Sequence, residues 1–161
     1  MKLPTKKGFT LIELLVVIAI ISVLAVVVFV ALNPAQRLKD AKDARRTADV
    51  DTILTAVHAS IVDAKGTLPA GLATGMAEVQ LGTAASGAAI ANTNCTSVTT
   101  AALDLSTPLV KYLKTMPISP VSGATTYTAA LTGYSVVVDA NNIVTVKACG
   151  TEGTITISAS R

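Results

Sequence analysis

The alternation of hydrophobic and polar positions divides the chain into stretches with different periodicities. Residues 14–32 contain one polar side chain, Ser22, and an apolar run of this length is enough to span a bilayer as a helix. From residue 35 to residue 64 the apolar positions recur every three or four residues, which predicts an amphipathic helix. The apolar stripe of this second helix consists of Val50, Ile53, Leu54, Val57, Ile61 and Ala64.

The other side of the amphipathic helix is predicted to carry the charged residues. Several opposite charges lie three or four residues apart, such as Lys39 with Asp43 and Arg45 with Asp49, and each such pair contributes only tenths of a kcal/mol. A solvated face and a face that pairs with neighbouring subunits are both compatible with this pattern. The charged set is Arg37, Lys39, Asp40, Lys42, Asp43, Arg45, Arg46, Asp49 and Asp51.

Asn33-Pro34 interrupts the helical pattern between these two stretches. Proline has no backbone N–H, and its ring clashes with the carbonyl four residues earlier. The sequence therefore predicts a helix kink at Pro34. A simple boundary between two helices is the alternative.

The C-terminal part has the period-two alternation of β-strands. Strands are predicted over residues 125–130, 133–138, 143–148 and 154–158, because β-branched and aromatic side chains alternate with polar ones there. The residues Asp139-Ala140-Asn141-Asn142 predict a hairpin turn between the second and third of these strands.

Two further segments lie between the amphipathic helix and these strands. Residues 108–116 predict a short helix. Residues 66–107 are rich in Ala, Thr, Gly and Ser, with charges only at Glu78 and Asp104, and predict a long surface connection. The complete pattern predicts an α+β fold, in which a long N-terminal helix packs by its C-terminal half on a small antiparallel sheet.

Composition and charge exclude several functional classes. The chain has 161 residues, is 51% hydrophobic and only 14% charged, which is too apolar for a disordered chain. The net charge of +3 comes from Lys2, Lys6 and Lys7, because the remaining basic and acidic side chains are equal in number. A charge-balanced body argues against direct nucleic-acid binding.

The sequence also offers no catalytic or metal-binding set. His58 is the only histidine, and we find no phosphate-binding loop or nucleophile–histidine–carboxylate motif around which an enzyme could be built. We therefore expect no enzyme activity, no metal and no cofactor.

The basic residues lie on the N-terminal side of the apolar run. The positive-inside rule then leaves the N-terminus in the cytoplasm and places the C-terminal body outside. A cleaved secretory signal is the alternative, although no small-residue cleavage site ends the run. Outside the cytoplasm, the two cysteines Cys95 and Cys149 favour a disulfide, which would contribute about 4 kcal/mol. Two free thiols are the alternative in a reducing compartment.

Residues 6–17 read KKGFTLIELLVV. This segment resembles the class III signal peptide of type IV pilins and related pseudopilins, which combines a basic leader, a glycine, an aromatic residue, three apolar or hydroxyl residues, a glutamate and a long apolar helix. The resemblance implies cleavage between Gly8 and Phe9 by a prepilin peptidase, followed by methylation of the new amine of Phe9 by the same enzyme. It also implies that Glu13 pairs with the Phe9 amine of a neighbouring subunit during assembly. A carboxylate that reaches the cytoplasmic headgroups is the alternative.

The resemblance implies a pilin-like fold with four parts. Residues 1–8 would be a basic leader that is removed, and residues 9–33 a helix that spans the membrane and later forms the filament core. Residues 34–65 would continue this helix in amphipathic form, and residues 66–161 would form a globular head with a variable connecting loop and the sheet.

The function that the resemblance implies is a structural subunit of a type IV pilus for adhesion, twitching motility or DNA uptake. The alternative is a pseudopilin of a type II secretion system. Major pseudopilins bind calcium in an acidic C-terminal loop, and this chain lacks such a loop, which favours the pilin.

The same resemblance implies the partners and the location of the chain. The partners are other copies of the chain, the prepilin peptidase and methyltransferase, an inner-membrane assembly platform with minor pilins, and membrane lipid before assembly. The precursor would be a single-pass protein of the inner membrane, and the assembled form an extracellular pilus.

Overall fold

The computed structural model describes residues 8–84, 94–95, 101–153 and 155–161. The chain divides into two compact units, an N-terminal unit of Met1–Leu38 and a C-terminal unit of Lys39–Arg161. It is helical from Leu11 to Asp63 except at one residue, and its C-terminal unit contains a four-stranded antiparallel sheet. The predicted α+β fold, with a long N-terminal helix and a small antiparallel sheet, is thereby confirmed.

Two helices account for the N-terminal third of the chain. Helix α1 spans Leu11–Leu32 and helix α2 spans Pro34–Asp63. No side chain of α1 is buried, and its length and composition would allow it to cross a membrane. In α2 the buried side chains begin at Arg46, so the part of this helix within the C-terminal unit supplies its buried face.

The break between the helices lies at Asn33. This residue adopts the left-handed conformation with φ of 40°, in which its N–H donates to the carbonyl of Val30 at 3.4 Å. Pro34 then occupies the first position of α2, where the missing N–H is not needed. The Asn33 carbonyl accepts from the N–H groups of Gln36 and Arg37, which starts the second helix.

Four short strands form one sheet, in which they lie side by side in chain order and every neighbouring pair is antiparallel. Strand β1 spans Val79–Gln80, β2 spans Tyr134–Val138, β3 spans Val144–Ala148 and β4 spans Ser158–Ser160. The register pairs Val136 with Val146 at the centre of the β2–β3 hairpin.

The turn of this hairpin is stabilised by Asp139. Its Oδ1 accepts from the backbone N–H groups of Asn141 and Ile143, each at 2.8 Å. Asn142 adopts a φ of 65°, a left-handed conformation that asparagine tolerates. The predicted turn at residues 139–142 is therefore present.

The hydrophobic core lies between α2 and one face of the sheet. The strands contribute every second residue, as the pleat requires, and the loops add four buried leucines. The predicted stripe of α2 is buried from Val50 to Val57, whereas Ile61 is half-buried and Ala64 is exposed. The buried strand and loop residues of this core are Tyr134, Val136, Val138, Val144, Val146, Ala148, Leu72, Leu81, Leu105, Leu109 and Ile157.

Three predicted elements differ from the structure. Residues 125–130 form no strand, because Thr128 and Leu131 close a tight turn with two backbone hydrogen bonds. The first strand is instead β1, within the segment that was predicted to be a surface connection. Residues 108–116 form hydrogen-bonded turns rather than a helix. Strand β4 begins at Ser158, and residue 154, where this strand was predicted to start, lies outside the described residues.

Candidate processing and assembly site

The predicted processing site lies just before α1. Gly8 and Phe9 are both exposed, with 90% of the Phe9 surface open. A Cβ atom added to Gly8 would meet nothing within 4 Å, so the structure of this chain does not itself require glycine there. The rest of the predicted leader, residues 1–7, lies outside the described residues.

The first turn of α1 forms a capping box between Thr10 and Glu13. The Thr10 Oγ1 accepts from the Glu13 N–H at 3.3 Å, and the Glu13 Oε2 accepts from both the N–H and the hydroxyl of Thr10 at 2.8 Å. This arrangement satisfies helix N–H groups that have no partner within the helix. Sequence reasoning missed it, although Thr-x-x-Glu before an apolar run is its recognised signature.

The geometry gives Glu13 a helix-capping role, which is distinct from the charge pairing between subunits that the resemblance implies. A carboxylate in the first turn of a helix is stabilised by the helix dipole, and here it is also held by a neighbouring residue. Phe9 immediately precedes the capping residue Thr10. An amine created at Phe9 would therefore lie at the same end of α1 as the Glu13 carboxylate of its own chain.

The two cysteines form a disulfide, Cys95–Cys149, that closes 54 residues. Both residues are buried, and the N–H of Cys149 donates to the carbonyl of Gly133 at 2.9 Å. The Asn94 side chain donates to the Thr151 hydroxyl at 2.7 Å. The bridge therefore ties the segment after β3 to a loop that lies far from it in the sequence.

The structure buries one charged residue, Arg46, that was predicted to lie on the charged side of α2, opposite the apolar stripe. The side chain of Arg46 is completely buried, so that part of the prediction is wrong. Its guanidinium donates to the Asp43 Oδ1 at 2.6 Å, to the Ser119 Oγ at 3.1 Å and to the Pro120 carbonyl at 2.9 Å. It also lies 3.5 Å from the Glu152 Oε1.

The carboxylates around Arg46 link α2 to the loop that follows the disulfide. Asp43 accepts from the Glu152 N–H at 3.1 Å, rather than pairing with Lys39 as the spacing suggested. Lys42 forms an ion pair with Glu152 at 3.3 Å. The predicted pair of Arg45 and Asp49 is present at 3.8 Å, with 63% of the Arg45 side chain and 19% of the Asp49 side chain exposed.

A second polar contact connects α2 with the sheet. The hydroxyl of the fully buried Tyr134 donates to the Asp49 Oδ2 at 2.6 Å. Burial and this contact with a carboxylate raise the pKa of Tyr134 far above its usual value. Tyr134 therefore stays protonated, and its hydroxyl keeps donating this hydrogen bond, over the whole physiological pH range.

His58 lies in the C-terminal half of α2. Among the described residues, no three His, Cys, Asp or Glu side chains are grouped as a metal ion would require. Its Nε2 is buried with no hydrogen-bond partner in that part of the chain. We assign His58 to the packing around α2.

One comparison identifies the N-terminal segment. Residues 3–29 match the family model of the prokaryotic N-terminal methylation motif. Neither a curated protein nor a solved structure matches the chain. The match includes Gly8, Phe9 and Glu13, and it confirms the resemblance to the class III signal peptide of type IV pilins and pseudopilins.

Proposed function

We propose that this chain is the structural subunit of a type IV pilus, which polymerises through α1 into a surface filament. The methylation motif supports a type IV pilin or a pseudopilin. The observation that supports polymerisation is the exposure of α1. This helix is apolar, and no other described part of the same chain buries any of its side chains. Such a surface needs lipid before assembly and copies of itself afterwards.

The proposed pathway follows from the order of these features along the chain. The basic leader keeps the N-terminus in the cytoplasm while α1 spans the inner membrane. A prepilin peptidase then cleaves between Gly8 and Phe9 and methylates the new amine. The mature chain moves from lipid into the filament with the help of an assembly platform and minor pilins, and the C-terminal units form the outer surface.

The experiment that tests this function analyses material sheared from the surface of cells that express the chain. We expect mass spectrometry to find abundant chains that begin at methylated Phe9, and electron microscopy to find long filaments in the same fraction. A processed chain that remains in the membrane fraction without filaments would instead indicate a pseudopilin or a minor subunit.

The matched control for that experiment is Gly8→Leu. A Cβ atom at this position would meet nothing within 4 Å, so we expect the substitution to leave the fold unchanged and to affect recognition by the peptidase. The leader should remain attached, and the filaments should be lost. A normally shortened and methylated product would contradict the proposed cleavage site.

The capping box allows the helix-capping role of Glu13 to be separated from its charge. Glu13→Gln keeps a side chain that can cap the helix but removes the charge that would attract the Phe9 amine. Thr10→Ala weakens the cap by about 1 kcal/mol but keeps the carboxylate. We expect Glu13→Gln to insert and be cleaved but to yield few filaments, and Thr10→Ala to assemble. Filament yield and the mass of the processed chain measure both effects.

The opposite pattern would overturn the proposed pairing. If Glu13→Gln assembled normally, the Phe9 amine would need no carboxylate partner. If Thr10→Ala lost its filaments to the same extent as Glu13→Gln, the contribution of Glu13 would be to the helix start rather than to subunit pairing.

A further inference from the structure

A cavity of about 380 Å³ opens on the C-terminal unit. It is lined from four loop segments, within residues 82–83, 104–106, 114–118 and 129–132, and we call it the loop cavity. None of its lining residues belongs to α2 or to the four strands. The volume lies at the lower end of the range for ligand sites, about 300–1,000 Å³.

Hydrogen bonds between the lining segments hold the walls of the loop cavity in place. The N–H of Thr83 donates to the Ala129 carbonyl at 3.1 Å, and the N–H of Gly82 donates to the Leu103 carbonyl at 3.0 Å. The Thr132 hydroxyl donates to the Leu81 carbonyl at 2.7 Å. A Cβ atom on Gly82 would collide with the backbone of Ala130, so glycine permits this close approach. The cavity is therefore preformed.

The floor of the loop cavity is apolar, and one of its two charged residues is already engaged. Leu105 is fully buried, Met116 is half-buried, and Ile118 is 37% exposed at the mouth. The carboxylate of Asp104 accepts from the Ser106 N–H at 2.8 Å. Hydrogen bonds from the hydroxyl and the N–H of Ser106 lower the pKa of Asp104, so it is an acceptor within its own turn.

Lys114 is the cationic residue of the loop cavity, which the ionised carboxylate of Asp104 also lines. Its ammonium forms no hydrogen bond or ion pair with any residue in the described part of the chain, and Asp104 is not within ion-pair distance. Lys111, three residues earlier and outside the cavity, is instead paired with Asp63 at 2.7 Å. The loop cavity thus combines an apolar floor with a positive charge that has no ion-pair partner among the described residues.

We propose that the loop cavity binds a small aliphatic carboxylate, with its hydrocarbon chain against Leu105 and Met116 and its carboxylate on Lys114. Burial of the hydrocarbon supplies most of the affinity. The ion pair at the mouth is partly exposed and adds little, but it selects an anion over an uncharged or cationic molecule of the same length.

Hexanoate is the probe for this proposal, and the methionine methyl groups are the reporters. The chain has three methionines, of which Met116 lines the cavity and Met76 packs against the core elsewhere. We expect hexanoate to shift the methyl NMR signal of Met116 and not that of Met76, in the full chain held in an amphipathic polymer. Hexanol should bind about threefold more weakly, and hexylammonium more weakly still.

Two matched pairs of variants test the role of the lining residues. Lys114→Gln should remove the advantage of hexanoate over hexanol, whereas Lys111→Gln should keep it. Ile118→Glu places a negative charge at the mouth and should abolish hexanoate binding. Ile143→Glu changes a residue of similar exposure, 43%, in the hairpin turn, and should bind normally. An unchanged Met76 signal verifies that each variant is folded.

Three results would overturn the proposal. The first is a Met116 signal that does not respond to hexanoate. The second is equal binding of hexanoate and hexanol, which would show an apolar cavity without anion recognition. The third is unchanged hexanoate binding by Lys114→Gln.

Discussion

Replacement of Arg46 by methionine is expected to lower the free energy of unfolding of the C-terminal unit by about 3–5 kcal/mol. The guanidinium is completely buried. It forms ion pairs with Asp43 and Glu152 and donates hydrogen bonds to the Ser119 hydroxyl and the Pro120 carbonyl. Methionine fills much of the same volume but donates no hydrogen bond. The two carboxylates, both largely screened from solvent, would then face each other without the cation between them, which is the main source of the loss.

The measurement is denaturant unfolding of the full chain, followed by the near-ultraviolet circular dichroism of its three tyrosines, since it has no tryptophan. Arg45→Met is the matched control. Arg45 is the neighbouring residue, its side chain is 63% exposed, and its ion pair with Asp49 is 3.8 Å long, so its loss should cost less than about 1 kcal/mol.

A second variant separates charge from packing at this position. If uncompensated carboxylates cause the loss, Arg46→Met combined with Glu152→Gln should lose less than the two single changes added together. Equal losses for Arg45→Met and Arg46→Met would contradict the structural role of the buried arginine.

Replacement of Cys149 by serine is expected to cost a similar amount, about 4 kcal/mol. The disulfide closes a loop of 54 residues, and its loss releases the unfolded chain from that constraint. Because the constraint belongs to the pair, Cys95→Ser and the double variant should lose about as much as Cys149→Ser. The midpoint of thermal unfolding under oxidising conditions measures each loss.

Treatment of the unmodified chain with a reductant is the control for the disulfide. Reduction should lower its unfolding midpoint to that of the variants, while the variants should not respond. An unchanged midpoint after complete reduction would contradict a stabilising contribution of the bridge.

The sequence predicted the elements whose periodicity is strong. The apolar run before Asn33 and the stripe from Val50 to Val57 gave the helices, and alternation gave β2 and β3 with their turn at Asp139. Strand β1 has only two residues, Val79–Gln80, and no periodicity can be detected over that length. It is a strand because Tyr134 and Thr132 hold the adjacent Leu81 through backbone hydrogen bonds, which are tertiary contacts.

The candidate site was predictable to a similar extent. Gly8, Phe9 and Glu13 lie within six consecutive residues, so their pattern could be recognised directly. The Thr10–Glu13 cap could have been predicted in the same way. The burial of Arg46 could not be predicted. Its partners outside α2 come from residues 119–121 and 152, and nothing in the local charge pattern connects these residues with α2. The same holds for the loop cavity, which four separate segments build together.

The distant partners of Arg46 determine when this unit can finish folding. Ser119 lies 73 residues after Arg46, and Glu152 lies 106 residues after it. Since a chain is synthesised from its N-terminus, Asp43 and the arginine emerge together, well before Ser119 and Glu152. The arginine must stay hydrated until then, so α2 can dock on the sheet only after almost the whole chain has been made. Contacts of such long range slow folding. The C-terminal unit therefore completes its fold late, after most of the chain has been synthesised.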